Sequence, residues 1–94
     1  MSARRTTFPL GQVVATPGAL SAFAMAKENY LPYLMRHAQG DWGIVHPDDA
    51  RANDEAREDG ERLLSAYRLP DGTKFWIITE ADRSSTCILL PEEY

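Results

Sequence analysis

The chain of 94 residues holds a single cysteine, Cys87, so no disulfide can form within it. A reducing, cytoplasmic setting is therefore expected. No apolar run approaches the ~18 residues needed to span a bilayer. The opening MSARRTTFPLGQVVA has two arginines but no long apolar stretch behind them, so it does not read as a secretion signal. A Gly-rich strand-to-helix turn of the kind that holds a dinucleotide is missing, and no cofactor is expected. His37 and His46 stand in no ligand spacing with Cys87 or with a carboxylate pair, so no metal site is expected either. A basic excess is also lacking, since the net charge is −4. Residues 1–47 carry four basic and two acidic side chains, whereas residues 48–94 carry six basic and twelve acidic ones. An acidic second half speaks against broad, phosphate-driven binding of nucleic acid and leaves room for docking onto a basic protein surface.

What is present is clearest between Arg62 and Leu90. RLLSAYRL, KFWIITE and TCILL are short runs rich in β-branched and aromatic residues, separated by the compact turn signals PDGT and ADRSS. That pattern predicts a three-stranded antiparallel meander. On its middle run Phe75, Ile77 and Thr79 point one way, while Lys74, Trp76, Ile78 and Glu80 point the other. Both sets are largely apolar, which predicts a central strand covered on much of both faces. Upstream, FPLGQVVAT reads as an irregular edge strand because of Pro9 and Gly11.

Three helices are predicted between these strands. Thr16 and Pro17 form a start signal, with Leu20, Phe23 and Ala24 at helical spacing behind it. Asn29 and Pro32 open a second helix, LPYLMRHAQ, that Gly40 ends. Leu31, Leu34 and Met35 are expected on its inner face, with Tyr33 and Arg36 turned outward. His46-Pro47-Asp48-Asp49 opens a third, polar helix dotted with Ala50, Ala52 and Ala56, which predicts weak packing at the surface. Gly60 closes it. The expected fold is a single α+β domain over 1–94, ordered β-α-α-α-β-β-β. Its three- to four-stranded sheet is mostly antiparallel and covered on one side by the N-terminal helices. Residues 1–7 are polar and expected to fray.

The string GDWG, taken with RLLSAYRLPDGTKFWIITEADRSSTCILLPEEY, resembles a family of small uncharacterised bacterial proteins catalogued as plasmid-related. Some members are mislabelled as a restriction-enzyme subunit, a role that would need a cofactor-binding α/β domain absent from a chain this short. The resemblance runs from Phe8 to Tyr94. It implies an accessory or mobile-element context and brings no catalytic residues with it.

Two constellations could carry chemistry. Arg36, His37 and Asp41 lie close together near a helix end and could form a proton-transfer and anion-binding corner. Read structurally, Arg36 and His37 complement the negative end of the helix, and Trp42 is a core plug whose indole N–H meets a backbone carbonyl. Arg68, Glu80 and Arg83, with Thr79 and Thr86, lie on or beside the meander. A helix-covered sheet with Arg, His, Glu and Thr on its open face is similar in layout to barnase-like and ribosome-dependent toxin ribonucleases. Read structurally, Arg83 builds a hairpin turn with Asp82 and Ser84, and Arg68 pairs with Glu80 across strands. In the polar helix, Asp54–Arg57 and Glu58–Arg62 have the spacing of surface ion pairs. Asp48, Asp49, Glu55 and Glu58 are the residues expected to face a partner. The function this supports is non-enzymatic: a small accessory protein that binds another macromolecule, a protein. The alternative is a small endoribonuclease toxin. Self-assembly through a sheet edge or the doubly apolar strands, as a homodimer, is a third reading.

Overall fold

The computed structural model describes residues 8–94, so the stretch 1–7 lies outside the described residues. The elements are β1 (Gln12–Ala15), α1 (Pro17–Ala26), α2 (Leu31–Ala38), α3 (Pro47–Asp59), β2 (Leu63–Arg68), β3 (Lys74–Thr79), β4 (Ser85–Leu89) and a closing 3-10 turn, Pro91–Glu93. This is the expected α+β order. The four strands form one sheet in the order β1-β4-β3-β2. β2–β3 and β3–β4 are antiparallel, as the meander required, but β1 runs parallel to β4 and makes the sheet mixed. The cause is connectivity: β1 passes directly into α1, and three helices intervene before the meander begins. A crossover of that length permits parallel pairing, which no hairpin could. Gly11 permits the close approach of the β1 end, since its φ is +65° and a Cβ there would collide with the Ser84 carbonyl.

Thr16 caps α1 by accepting from the Ala19 amide at 3.1 Å, with Pro17 at the first helical position. The helix stops at Lys27, which adopts a left-handed conformation while Glu28 donates back to the Phe23 carbonyl. Its buried stripe is Ala19 and Phe23, with Ala22 and Ala26 packed alongside. This corrects the expected face: Leu20 is 49% exposed, and Ala24 is exposed too. The small alanines let the helix lie close to the sheet, and Phe23 reaches the Phe75 ring at 4.8 Å.

On α2 the buried residues are Leu34, His37 and Ala38, while Leu31 and Met35 are more than half exposed. Tyr33 turns toward the core rather than away, with ring centroids 5.6 Å from Tyr67 and 5.0 Å from Phe75. An aromatic ring buries far more apolar surface than the exposed fraction of Leu31 or Met35 gives up. The helix therefore rotates to satisfy Phe23, Tyr33, Tyr67 and Phe75. Phe8, Trp42, Ala56 and Leu63 form a second, smaller cluster beneath α3.

The helix-free face of the sheet carries Val14, Leu64, Ala66, Trp76, Ile78, Cys87 and Leu89, by strand alternation and register. Trp42 lies on the helix side of the sheet, with Phe8, Ala56 and Leu63. Tyr94 crosses the open face instead, with its ring 5.7 Å from Trp76 and its hydroxyl accepting from Arg62 at 2.7 Å.

Candidate functional site

The structure separates the Arg36, His37 and Asp41 corner into an inside and an outside. His37 is fully buried, with Nδ1 on the Ser65 hydroxyl and Nε2 2.9 Å from the Thr79 hydroxyl. Thr79 in turn meets Thr86 at 2.7 Å, and Thr86 donates to the Leu10 carbonyl at 2.7 Å. Each hydroxyl owns one proton, so the carbonyl sets the direction of the whole chain. Thr86 spends its proton on Leu10, Thr79 spends its own on Thr86, and His37 must donate from Nε2. Nδ1 is then the acceptor for Ser65. Burial, followed by the positive charge of Arg83, pushes the His37 pKa down to about 3. The ring stays neutral, enclosed edge-on by Phe8 at 5.2 Å and Trp42 at 5.7 Å. A Ser–His contact of this kind resembles a nucleophile beside its base. Ser65, His37, Thr79 and Thr86 are all fully buried, however, so no substrate reaches them. His37 therefore does not complement the helix end.

Arg36 and Asp41 pair at the surface at 2.7 Å, and that guanidinium holds the Asp41 carboxyl below its ordinary range. Arg36 also lies 4.7 Å from the Tyr67 ring centroid, while Asp41 accepts from the Gly43 amide and, through its carbonyl, from the Tyr67 hydroxyl. The pair shapes the loop that carries Trp42. The indole N–H of Trp42 donates to the Asp54 carboxylate at 2.9 Å, not to a backbone carbonyl as expected.

Arg83 does build the expected turn with Asp82 and Ser84. Its guanidinium goes further and donates to the carbonyls of Glu61, Glu80, Ala81 and Ala56, above the Phe8 ring. It clasps the end of α3 to the β3–β4 turn. Arg68 does not pair with Glu80, because the register sets Arg68 opposite Lys74 at the far end of the hairpin. Glu80 is met by Arg62 at 3.5 Å, which also takes Arg62 away from Glu58. Asp54 accepts from the Trp42 indole. Thr79 and Thr86 lie on the helix-covered face, so the ribonuclease-like set does not converge on the open one.

One arrangement that can receive another molecule is a groove of about 300 Å³ on the helix-free face, beside the start of α3. Its floor is Leu64, Ala66 and Trp76, and its rim is Ile44, Val45, His46, Asp49 and Lys74. Gly43 shapes the rim: with φ at +77°, it brings the backbone against Ala66, where a Cβ would strike the Ala66 carbonyl. Asp48, Asp49, Glu55 and Glu58 are all exposed, with Asp49 on the groove and Asp48 accepting from Arg51 at 3.3 Å. Cys87 is half-buried on the same face of the sheet, its thiol pushed up chiefly by burial. Among the described residues no three His, Cys, Asp or Glu side chains gather as metal ligands would.

Several residues that hold this site escaped sequence reasoning. Asn53 is buried and pairs with both backbone groups of Leu64. Glu93 accepts from Thr16 and from the Gly18 and Leu90 amides. Ser65 is the one with a usable signal: alternation places it between Leu63 and Tyr67 on an apolar face, where a hydroxyl needs a partner. No family model, curated protein or solved structure matches the chain. No helix among the described residues is long and apolar enough to cross a membrane.

Proposed function

We propose that the protein is a small accessory protein that acts without catalysis, by docking a protein partner along the groove on its helix-free sheet face. The observation that carries this reading is the pairing of a groove floored by half-buried Leu64 and Trp76 with a flank of exposed acids at the start of α3. Such a surface fits a partner segment with apolar anchors and basic neighbours. The scattering of the candidate catalytic residues also supports it, since His37 is sealed in the core and Arg83 is committed to four carbonyls. A cytoplasmic, plasmid-associated setting accompanies the reading, resting on the lone cysteine and on the sequence resemblance.

The test pairs two variants with the parent. One changes Asp48, Asp49, Glu55 and Glu58 to Asn or Gln, and the other is Ile44→Glu, at a groove position that is 50% exposed. Both should melt near the parental temperature, because exposed charges contribute only ~0–1 kcal/mol each. Capture of a partner from host lysate should weaken in both, and in the parent it should fall with added salt. Capture unchanged in both variants would place the binding surface elsewhere. Purified protein should leave RNA intact, and cleavage that follows the parent through purification would overturn the non-enzymatic reading.

A further inference from the structure

We propose that the outward face of α1 is a self-association surface, on which a second copy of this chain packs its own α1 in antiparallel orientation about a twofold axis. The helix PGALSAFAMA contains no charged side chain in ten residues, and Ser21 is its one polar side chain. Ala19 and Phe23 face the sheet, so the uncharged surface continues around the side that meets water. There Met25 is 80% exposed and Leu20 49%. A helix that is apolar all round belongs in an interior, and this one has half an interior. Beside Leu20 lies a groove of about 580 Å³ whose apolar lining is Leu20, Phe23, Tyr30 and Leu31 and whose polar lining is Lys27, Glu28 and Asn29. Exposed apolar side chains grouped on one helix face mark association sites.

The occupant follows from shape and charge. At 100° per residue, two large side chains, Leu20 and Met25, flank two small ones, Ser21 and Ala24, on the exposed arc. An antiparallel twofold centred between Ala22 and Phe23 sets each large side chain within one residue's rise, about 1.5 Å, of a small one across the contact: Leu20 beside Ala24 of the second copy, and Met25 beside Ser21 of the second copy. Such a contact is self-complementary, as a twofold interface must be. The ends are complementary too. Lys27 stands at the C-terminal end of α1, while Glu92 and Glu93 stand beside its N-terminal end, where Glu93 accepts from the Gly18 amide. Antiparallel packing brings the basic end of each helix beside the acidic end of the other, and it opposes the two helix dipoles. Lys27 and Glu92 have no ion-pair partner among the described residues. The stretch outside the described residues, MSARRTT, has only Met1 as a large apolar side chain and does not match the face.

Sedimentation across a concentration series tests the proposal. The parent should pass from monomer to dimer as concentration rises. Met25→Glu and Leu20→Glu should each raise the dissociation constant at least roughly tenfold, since each places a charge in the middle of an apolar contact. Both positions are exposed, so both variants should melt within a few degrees of the parent. Lys27→Glu should weaken the dimer roughly two- to five-fold, and adding Glu92→Lys should restore it. A parent that stays monomeric throughout overturns the proposal. So does a dimer indifferent to Met25→Glu and Leu20→Glu, or a Lys27→Glu loss that Glu92→Lys deepens. The Asp48, Asp49, Glu55, Glu58 variant should dimerise normally, which keeps this test apart from that of the groove.

Discussion

His37 is where a single side chain does most to set the behaviour of the molecule. In the folded state its ring stays neutral until about pH 3, whereas an unfolded chain takes the proton near 6.5. Between those values the unfolded state binds more protons, so stability rises with pH across this window. The stabilisation is complete above about pH 6.5 and is lost progressively on acidification; the whole interval corresponds to roughly 5 kcal/mol. Urea denaturation at about pH 7 and about pH 5 should therefore show a clear loss for the parent. His37→Leu should lower stability at neutral pH by ~1–3 kcal/mol, because Ser65 and Thr79 lose their partner. The same variant should flatten the slope between those two pH values. Asp41 and Glu93, whose carboxyls are held low by Arg36 and by Thr16 respectively, act only at more acidic pH. Trp42 is the second such residue. Trp42→Ala should cost ~3–5 kcal/mol by emptying the smaller cluster, whereas Trp42→Phe should lose chiefly the Asp54 hydrogen bond, ~1 kcal/mol. Thermal melting of the pair separates the cavity from the hydrogen bond.

At the scale of elements, the two sheet edges are managed differently. Along β2 the outward backbone groups of two residues are occupied: Leu64 by the Asn53 amide, and Ala66 by Trp42 and Ile44 on either side of Gly43. A covered edge cannot template another strand. Asn53 thus docks a helix that has little apolar face by making it part of the sheet's hydrogen bonding. Asn53→Ala should cost ~1–3 kcal/mol by leaving the Leu64 amide and carbonyl unpaired. The Leu64 amide should then exchange with solvent far faster while amides of β4 stay protected, which hydrogen exchange would read directly. The remaining edge, β1, has no charged residue or proline between Gln12 and Ala15, and Val13 and Val14 are about 40% exposed. The helices were legible in the sequence because Thr16-Pro17, Asn29-Pro32 and His46-Pro47 are start signals that act within one turn. Their inward faces were less legible. Leu20, Leu31 and Met35 are apolar enough to be core residues, and only the fit of four aromatic rings between α1, α2 and the sheet turned them outward.

For the molecule as a whole, Arg83 joins segments that lie far apart in the chain. One guanidinium holds the end of α3, the β3–β4 turn and, through Phe8, the segment leading into β1. Lysine cannot supply that fork of donors. Arg83→Lys should therefore lower stability by ~1–3 kcal/mol although the charge is kept. Arg83→Gly should fare no better even though it relieves the φ of +62° at this position, because it removes every one of the four hydrogen bonds. Two-state thermal melting of both variants is the measurement, and a parental melting temperature for Arg83→Gly would show the clasp to be idle. The antiparallel meander, the order of elements and the faces of β3 were determined by the sequence alone, because alternation, turn chemistry and caps depend on neighbours a few residues away. Tertiary structure alone decided that β1 runs parallel to β4, that Ser65, His37, Thr79 and Thr86 form one proton-ordered chain, that Arg83 adds distant carbonyls to the turn it builds, and that Arg62 serves Tyr94 and Glu80 rather than Glu58. Each of these depends on groups that are distant in the chain and become neighbours only when the sheet closes against the helices. Hydrogen-bonding capacity is written into each residue, but the partner that satisfies it is chosen by the packing.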